Sequence, residues 1–160
     1  VLASSFALTG HTAETSAGPR ALIVMHVLIA GFWAGSLAPL VLVTRHDDGA
    51  TAAEIAARFT QIATFTVPLI AVAGVWLGYA LGVRVQTLER PYGILLLVKL
   101  GAFGLLMLLA ALNKWRLGPR LASDPRARRA FATSVVVEGV LIIGVVVATA
   151  TLTTYFSPEL

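Results

Sequence analysis

Four long apolar stretches dominate the chain, at 21–44, 59–83, 92–112 and 131–155, separated by polar or proline-containing stretches at 10–20, 45–58, 84–91 and 114–130. Each apolar stretch has the roughly 20 residues that an α-helix needs to cross about 30 Å of hydrocarbon. Backbone N–H and C=O groups find no water inside a bilayer, so runs of this length have to be helices that satisfy their own hydrogen bonds. The pattern predicts an all-α, integral membrane helical bundle with four full transmembrane helices at about 21–44, 59–83, 92–112 and 131–155. A shorter apolar stretch at 1–8 reads as the truncated end of an N-terminal helix. With no initiator Met, the expectation is one transmembrane domain over 1–160 that is a fragment of a longer chain.

Composition strengthens this reading. Hydrophobic residues make up 58% and charged residues 12% of the chain, and the mean hydropathy is +0.86. Soluble domains are typically about 45–50% apolar, so an ordinary water-soluble fold is excluded and the bilayer is the expected surrounding. The formal charge of +4 does not point to nucleic acid, because the basic residues gather at helix ends and form no stripe with exposed aromatics. They bear on topology instead. One set of helix ends carries Arg45, Arg58, Lys114, Arg116, Arg120, Arg126, Arg128 and Arg129, whereas the other carries Arg20, Arg84 and Arg90. Basic residues are retained on the cytoplasmic side, so loop 114–130 is expected in the cytoplasm, with segment 10–20 and the C-terminus periplasmic or external.

Within the spans, Trp33 lies too far from either end to anchor at an interface and is expected to pack inside the bundle, whereas Trp115 and Tyr155 lie near helix ends. Glycines four apart, Gly31 with Gly35 and Gly74 with Gly78 and Gly82, are expected to be ridges where helix backbones approach. Pro39 and Pro68 are expected to kink their helices, with Thr64 and Thr66 available to freed carbonyls.

Candidate chemistry is confined to a few side chains. Cysteine is absent, so any metal has to be held by nitrogen, oxygen or thioether ligands. Ionisable groups inside a membrane cost a few kcal/mol each, which singles out His26, Lys99 and Glu138. At about 1.5 Å per residue, His26 lies roughly 8 Å and Lys99 roughly 10 Å below the external surface, whereas Glu138 lies roughly 25 Å below it. His11 precedes the first span on the same external side, so His11 and His26 can share a metal site. Imidazole suits copper in either oxidation state, and a thioether favours Cu(I). Met25 is therefore a further candidate, although neighbouring helix residues point about 100° apart. A histidine hydrogen-bonded between helices fits the same position of His26. Lys99 either snorkels to the interface or pairs with Glu14, Glu89 or an anionic partner. Glu138 is expected to meet Asn113, Arg116, Arg58 or Gln61, as a structural pair or as a lower station on a path. His46, beside Asp47 and Asp48, reads as a solvated residue. Thr149, Thr151, Thr153 and Thr154 either line a vestibule or bond back to carbonyls of their own helix. No nucleotide-binding glycine loop, serine–histidine–acid set or zinc-protease helix is present, so an enzyme or an ATP-driven pump is not expected.

Taken in order, Gly10-His11, His26 followed by Trp33-Ala34-Gly35, Tyr92-Gly93 through Leu96 to Lys99, and then Asn113, Pro119 and Glu138 resemble the membrane domain of the CopD family of bacterial copper-resistance and copper-transport proteins. The resemblance spans most of the chain. It implies copper as the transported ion, the bacterial inner membrane as location and a periplasmic copper-binding protein of the CopC type as partner. On this resemblance His11 and His26 are the copper-facing positions, with Lys99 and Glu138 as functional polar groups; Asn113 and Met25 remain further candidates on their own position and chemistry. A second class, a b-type haem carrier, uses histidines of a four-helix bundle and needs a second ligand opposite His26. A third is a non-catalytic accessory subunit packed with other membrane helices, in which the ionisable groups serve packing.

Overall fold

The computed structural model describes residues 17–80 and 91–155. These residues form four long helices: α1 (Ala17–His46), α2 (Gly49–Ala80), α3 (Pro91–Leu112) and α4 (Pro125–Tyr155). No strand occurs among the described residues. All four helices are long and apolar enough to cross a membrane. The helical membrane bundle that the hydropathy pattern predicts is the observed fold. The 1–8 stretch and His11 lie outside the described residues.

Three helix boundaries differ from the sequence expectation for one reason. Hydropathy trims a helix to its apolar run, but these helices continue through polar sequence beyond it. The stretch 45–58, expected as a loop, is helical except for Asp47 and Asp48, and 125–130 is the first part of α4. Helix α2, with 32 residues, is about 48 Å long, so it extends well past about 30 Å of hydrocarbon. Its start is fixed by Asp48, whose Oδ1 accepts the backbone N–H groups of Ala50 at 2.9 Å and Thr51 at 3.0 Å, while Oδ2 accepts the Thr51 hydroxyl at 2.8 Å. Asp124 does the same for α4, accepting the Arg126 N–H at 2.8 Å just ahead of Pro125 in the first turn.

The extended ends pack together. Ala52, Ala56, Leu121 and Ala127 are buried there, and Leu121 is inaccessible. Gly49 marks the tightest approach: a Cβ at this position would lie 2.9 Å from the carbonyl oxygens of both Leu121 and Ala122. Arg128 donates to the Asp47 carbonyl at 3.4 Å. Arg58 lies within α2 instead of in a loop and pairs with Glu54 one turn away, both side chains exposed.

Through the membrane, α1 packs on α2 and α4, and α4 packs on α3, whereas α2 and α3 barely touch. The helices therefore form an arc, α2–α1–α4–α3, whose ends leave a cleft. Trp33, Leu37, Leu40, Leu106, Phe131 and Val135 form the buried core of the arc, so Trp33 packs inside as its position predicts. Outward-facing positions are apolar, including Phe65, Val72, Val75, Leu108 and Ile143, as a lipid-facing surface requires. Trp76 and Tyr79 near the end of α2 are exposed with ring centroids 6.4 Å apart, an aromatic pair suited to the interface.

One expectation about the spans changes. Among the described residues, a Cβ at Gly31, Gly35 or Gly78 would meet nothing within 4 Å, so these glycines are not helix-contact ridges there, whereas a Cβ at Gly74 would lie 3.6 Å from the His26 ring; Gly82 lies outside the described residues. Helices α1 and α2 run unbroken through Pro39 and Pro68. Thr64 and Thr66 donate to the Thr60 and Ile62 carbonyls, at 2.7 and 3.0 Å, so neither serves the carbonyl that Pro68 frees, which belongs to residue 64. Thr149 and Thr151 likewise bond back to Val145 and Val147.

Candidate functional site

The α1 face that looks into the arc carries His26, Trp33, Leu37, Leu40 and Thr44 at near-heptad intervals, which places them on one stripe of a 3.6-residue helix. His26 is the polar member nearest the far end of the stripe. Its ring lies against Gly74 of α2 and within hydrogen-bonding reach of the Ile70 backbone carbonyl. A Cβ at Gly74 would lie 3.6 Å from the ring, an ordinary contact distance. Nδ1 is buried and has no partner among the described residues. Lys99, on α3, is close enough to act electrostatically on the imidazole. One level of the cleft thus brings together a histidine with a free ring nitrogen and a lysine, on α1 and α3, against the backbone of α2. No described carboxylate accompanies them.

Met25 does not join this level. It lines a shallow surface hollow with Ala21, Val24, Leu28 and Ile29, as the angle between adjacent helix residues dictates. His46 is the last residue of α1, exposed, with Nδ1 3.0 Å from the Leu42 carbonyl oxygen. It lies about 30 Å along α1 from His26 and cannot serve as an opposite axial ligand for a haem held there.

The second polar level is Glu138 with Asn113. Glu138, on α4, is 2% exposed, and the Asn113 side-chain amide donates to its Oε1 at 2.7 Å. Of the four partners that depth alone allows, the structure brings Asn113 to the carboxyl. Gly139 contacts Leu37, eleven residues beyond His26, so the two polar levels are about 16 Å apart along α1. They are separate sites and cannot share one ion.

Asn113 owes its position to an irregular helix end. Residues Asn113–Leu117 form a π-helical turn closed by the Gly118 N–H donating to the Asn113 carbonyl, and Gly118–Arg120 continue as a 3-10 turn. Pro119 lacks an N–H and cannot prolong an α-helical ladder. A Cβ on Gly118 would lie 2.9 Å from the Asn113 carbonyl oxygen, so glycine lets the backbone close the wider turn. Such turns often accompany functional positions.

A cavity of about 230 Å3 opens in the cleft at this level. Trp33 and Leu40 line it from α1, Phe59 and Thr64 from α2, Met107 and Asn113 from α3 and its end, and Phe131 and Glu138 from α4. Lys114 crosses its mouth, donating to Thr64 Oγ1 at 3.0 Å while that hydroxyl donates to Thr60. Sequence reading missed Ser134, buried with its Oγ unpartnered. Its spacing of four from Glu138 on one helix face was the available signal. It also missed the Lys114–Thr64 bridge, which joins residues fifty apart.

Among the described residues no group of three or more metal-ligating side chains is present. His11, the proposed companion of His26, lies outside them.

The family described as Copper resistance protein D matches residues 53–152. That stretch contains Lys99, Asn113 and Glu138 but not His26. A curated relative, Copper resistance protein D of Pseudomonas syringae pv. tomato, is 29% identical over 182 residues, covering 100% of this chain and 57% of the relative. The chain thus spans little more than half of that relative's length. No solved structure matches. With more than half of its residues matched and four membrane-spanning helices in place, the chain belongs to the copper resistance protein D (CopD) family.

Proposed function

We propose that the protein carries copper through the bacterial inner membrane, with His26 and His11 as the entry site on the external side and a periplasmic copper-binding protein of the CopC type as donor. Family membership carries this reading. The His26 ring supports the place: a buried Nδ1 without a partner among the described residues is a nitrogen available to a metal. A cation arriving there also meets the Lys99 ammonium, whose charge opposes it. A carboxylate is the natural counter-charge, and Glu14 and Glu89 lie in the adjoining segments of the sequence.

The basic-residue asymmetry supports a cytoplasmic placement of the end that holds Lys114, Arg120, Arg128 and Arg129. Two experiments test the proposal. In proteoliposomes holding the full chain, copper uptake should fall at least severalfold in His26→Ala; unchanged uptake would remove the histidine from the path. For topology, a cysteine placed at Ser123 should stay unlabelled by an impermeant thiol reagent in intact cells and become labelled after permeabilisation. Labelling in intact cells reverses the orientation.

A further inference from the structure

Glu138 is a carboxyl group 2% exposed within a membrane-spanning helix, and it lines a cavity large enough for several waters. Asn113, 8% exposed, spends its amide N–H on Glu138 Oε1 and leaves Oδ1 buried with no donor; Ser134, 7% exposed and one turn before Glu138, has an Oγ without a partner. A buried acceptor without a donor costs about 1–3 kcal/mol, so the Asn113 oxygen, on the cavity wall, calls for an O–H from a water or an acid. We propose that Glu138 is a reversible proton-binding site, loaded and unloaded through water in the cavity between α2 and α3. This site is independent of copper binding at His26.

The donor set selects a proton over a metal. Carboxylate, amide and hydroxyl oxygens are hard donors that match Cu(I) poorly, and the described residues hold no metal-ligating cluster here. The Lys114 ammonium in the lining opposes a metal cation and a hydronium alike, so the choice between them rests on the donor atoms. Trp33 and Leu40 face the cavity from α1, and Phe59, Thr60 and Thr64 from α2, none of them titratable near neutrality. Asn113 and Lys114 face it from α3 and the π turn, and Ser134 shares the α4 face. Lys114 is thus the other charged group of the lining. Loading balances simply: a hydronium in the cavity gives its proton to the carboxylate and becomes water. The carboxyl oxygen not held by Asn113 carries the proton, and Asn113 Oδ1 accepts an O–H from the water left behind.

A hydrophobic carbodiimide reports this directly, because it adds to protonated carboxyls in lipid-accessible cavities and leaves an N-acylurea. The full chain in detergent or liposomes is exposed to it across pH, and each carboxyl is quantified by peptide mass spectrometry. Modification is expected at Glu138, falling at least tenfold from the acid to the alkaline end of the range. It should vanish from that peptide in Glu138→Gln, which keeps an acceptor for Asn113 and so preserves the fold, checked by an unchanged elution profile. Modification independent of pH means a permanently protonated structural group and overturns the proposal. Absence of modification at every pH overturns it as well.

Discussion

At Glu138 the hydrogen bonds can be followed atom by atom: the Asn113 amide donates to Oε1 at 2.7 Å, and Asn113 Oδ1 is buried without a donor among the described residues. Asn113→Ala removes the one side-chain donor that the described residues give to a buried acid and should cost about 1–3 kcal/mol, read as a lowered thermal unfolding midpoint in detergent. Gly49→Ala should destabilise by a similar amount, about 1–3 kcal/mol, because its Cβ would press on two backbone carbonyls that cannot swing away. A midpoint equal to wild type in either variant would contradict these assignments. Asp48 gives a prediction in pH. Hydrogen bonds from Thr51 and Ala50 hold its carboxyl below the usual carboxylate range. The folded pKa is therefore depressed, so the stability it contributes is fully present above about pH 3.9 and is lost as pH falls through the folded value. Asp48→Ala should flatten that acid limb, and an unaltered limb would show that another carboxyl dominates it. At this scale the sequence marked His26, Lys99 and Glu138 because charge in lipid needs a reason. It could not choose among the four partners of Glu138, because depth along an axis carries no information about which helix lies opposite.

Among the elements, α1 to α4 were legible as apolar runs, but their polar extensions were not. Residues 49–58 read as a loop because hydropathy measures the bilayer, whereas the helix there is set by the Asp48 cap and by packing on Leu121. The π turn was illegible for a related reason. Its Gly118-Pro119 pair announces a helix end but not the wider turn that brings Asn113 round to α4. Gly118→Ala should push the Asn113 carbonyl away and loosen its side chain from Glu138. In the carbodiimide assay, Glu138 should then be modified at an altered rate with the wild-type elution profile retained. An unchanged rate would separate the turn from the site.

For the whole molecule, the arc α2–α1–α4–α3 and its cleft decide which side chains meet, and no periodicity along the chain encodes that order. The number of spans and the buried Trp33 could be read in advance. The coincidence of His26 with Lys99 could be anticipated only in depth, and their convergence from α1 and α3 follows from the cleft. Two polar levels lie about 16 Å apart, one with an imidazole nitrogen that has no partner among the described residues and one with a buried acid, and the two proposals assign metal to the first and proton to the second. The central claim is that copper sits at the first of them. Copper analysis of the purified full chain, with an optical spectrum of the same sample, tests it most directly. Wild type and Glu138→Gln should retain copper, His26→Ala should lose most of it, and none should show a Soret band. Equal copper in wild type and His26→Ala, or a Soret band that shifts on reduction, would contradict the account.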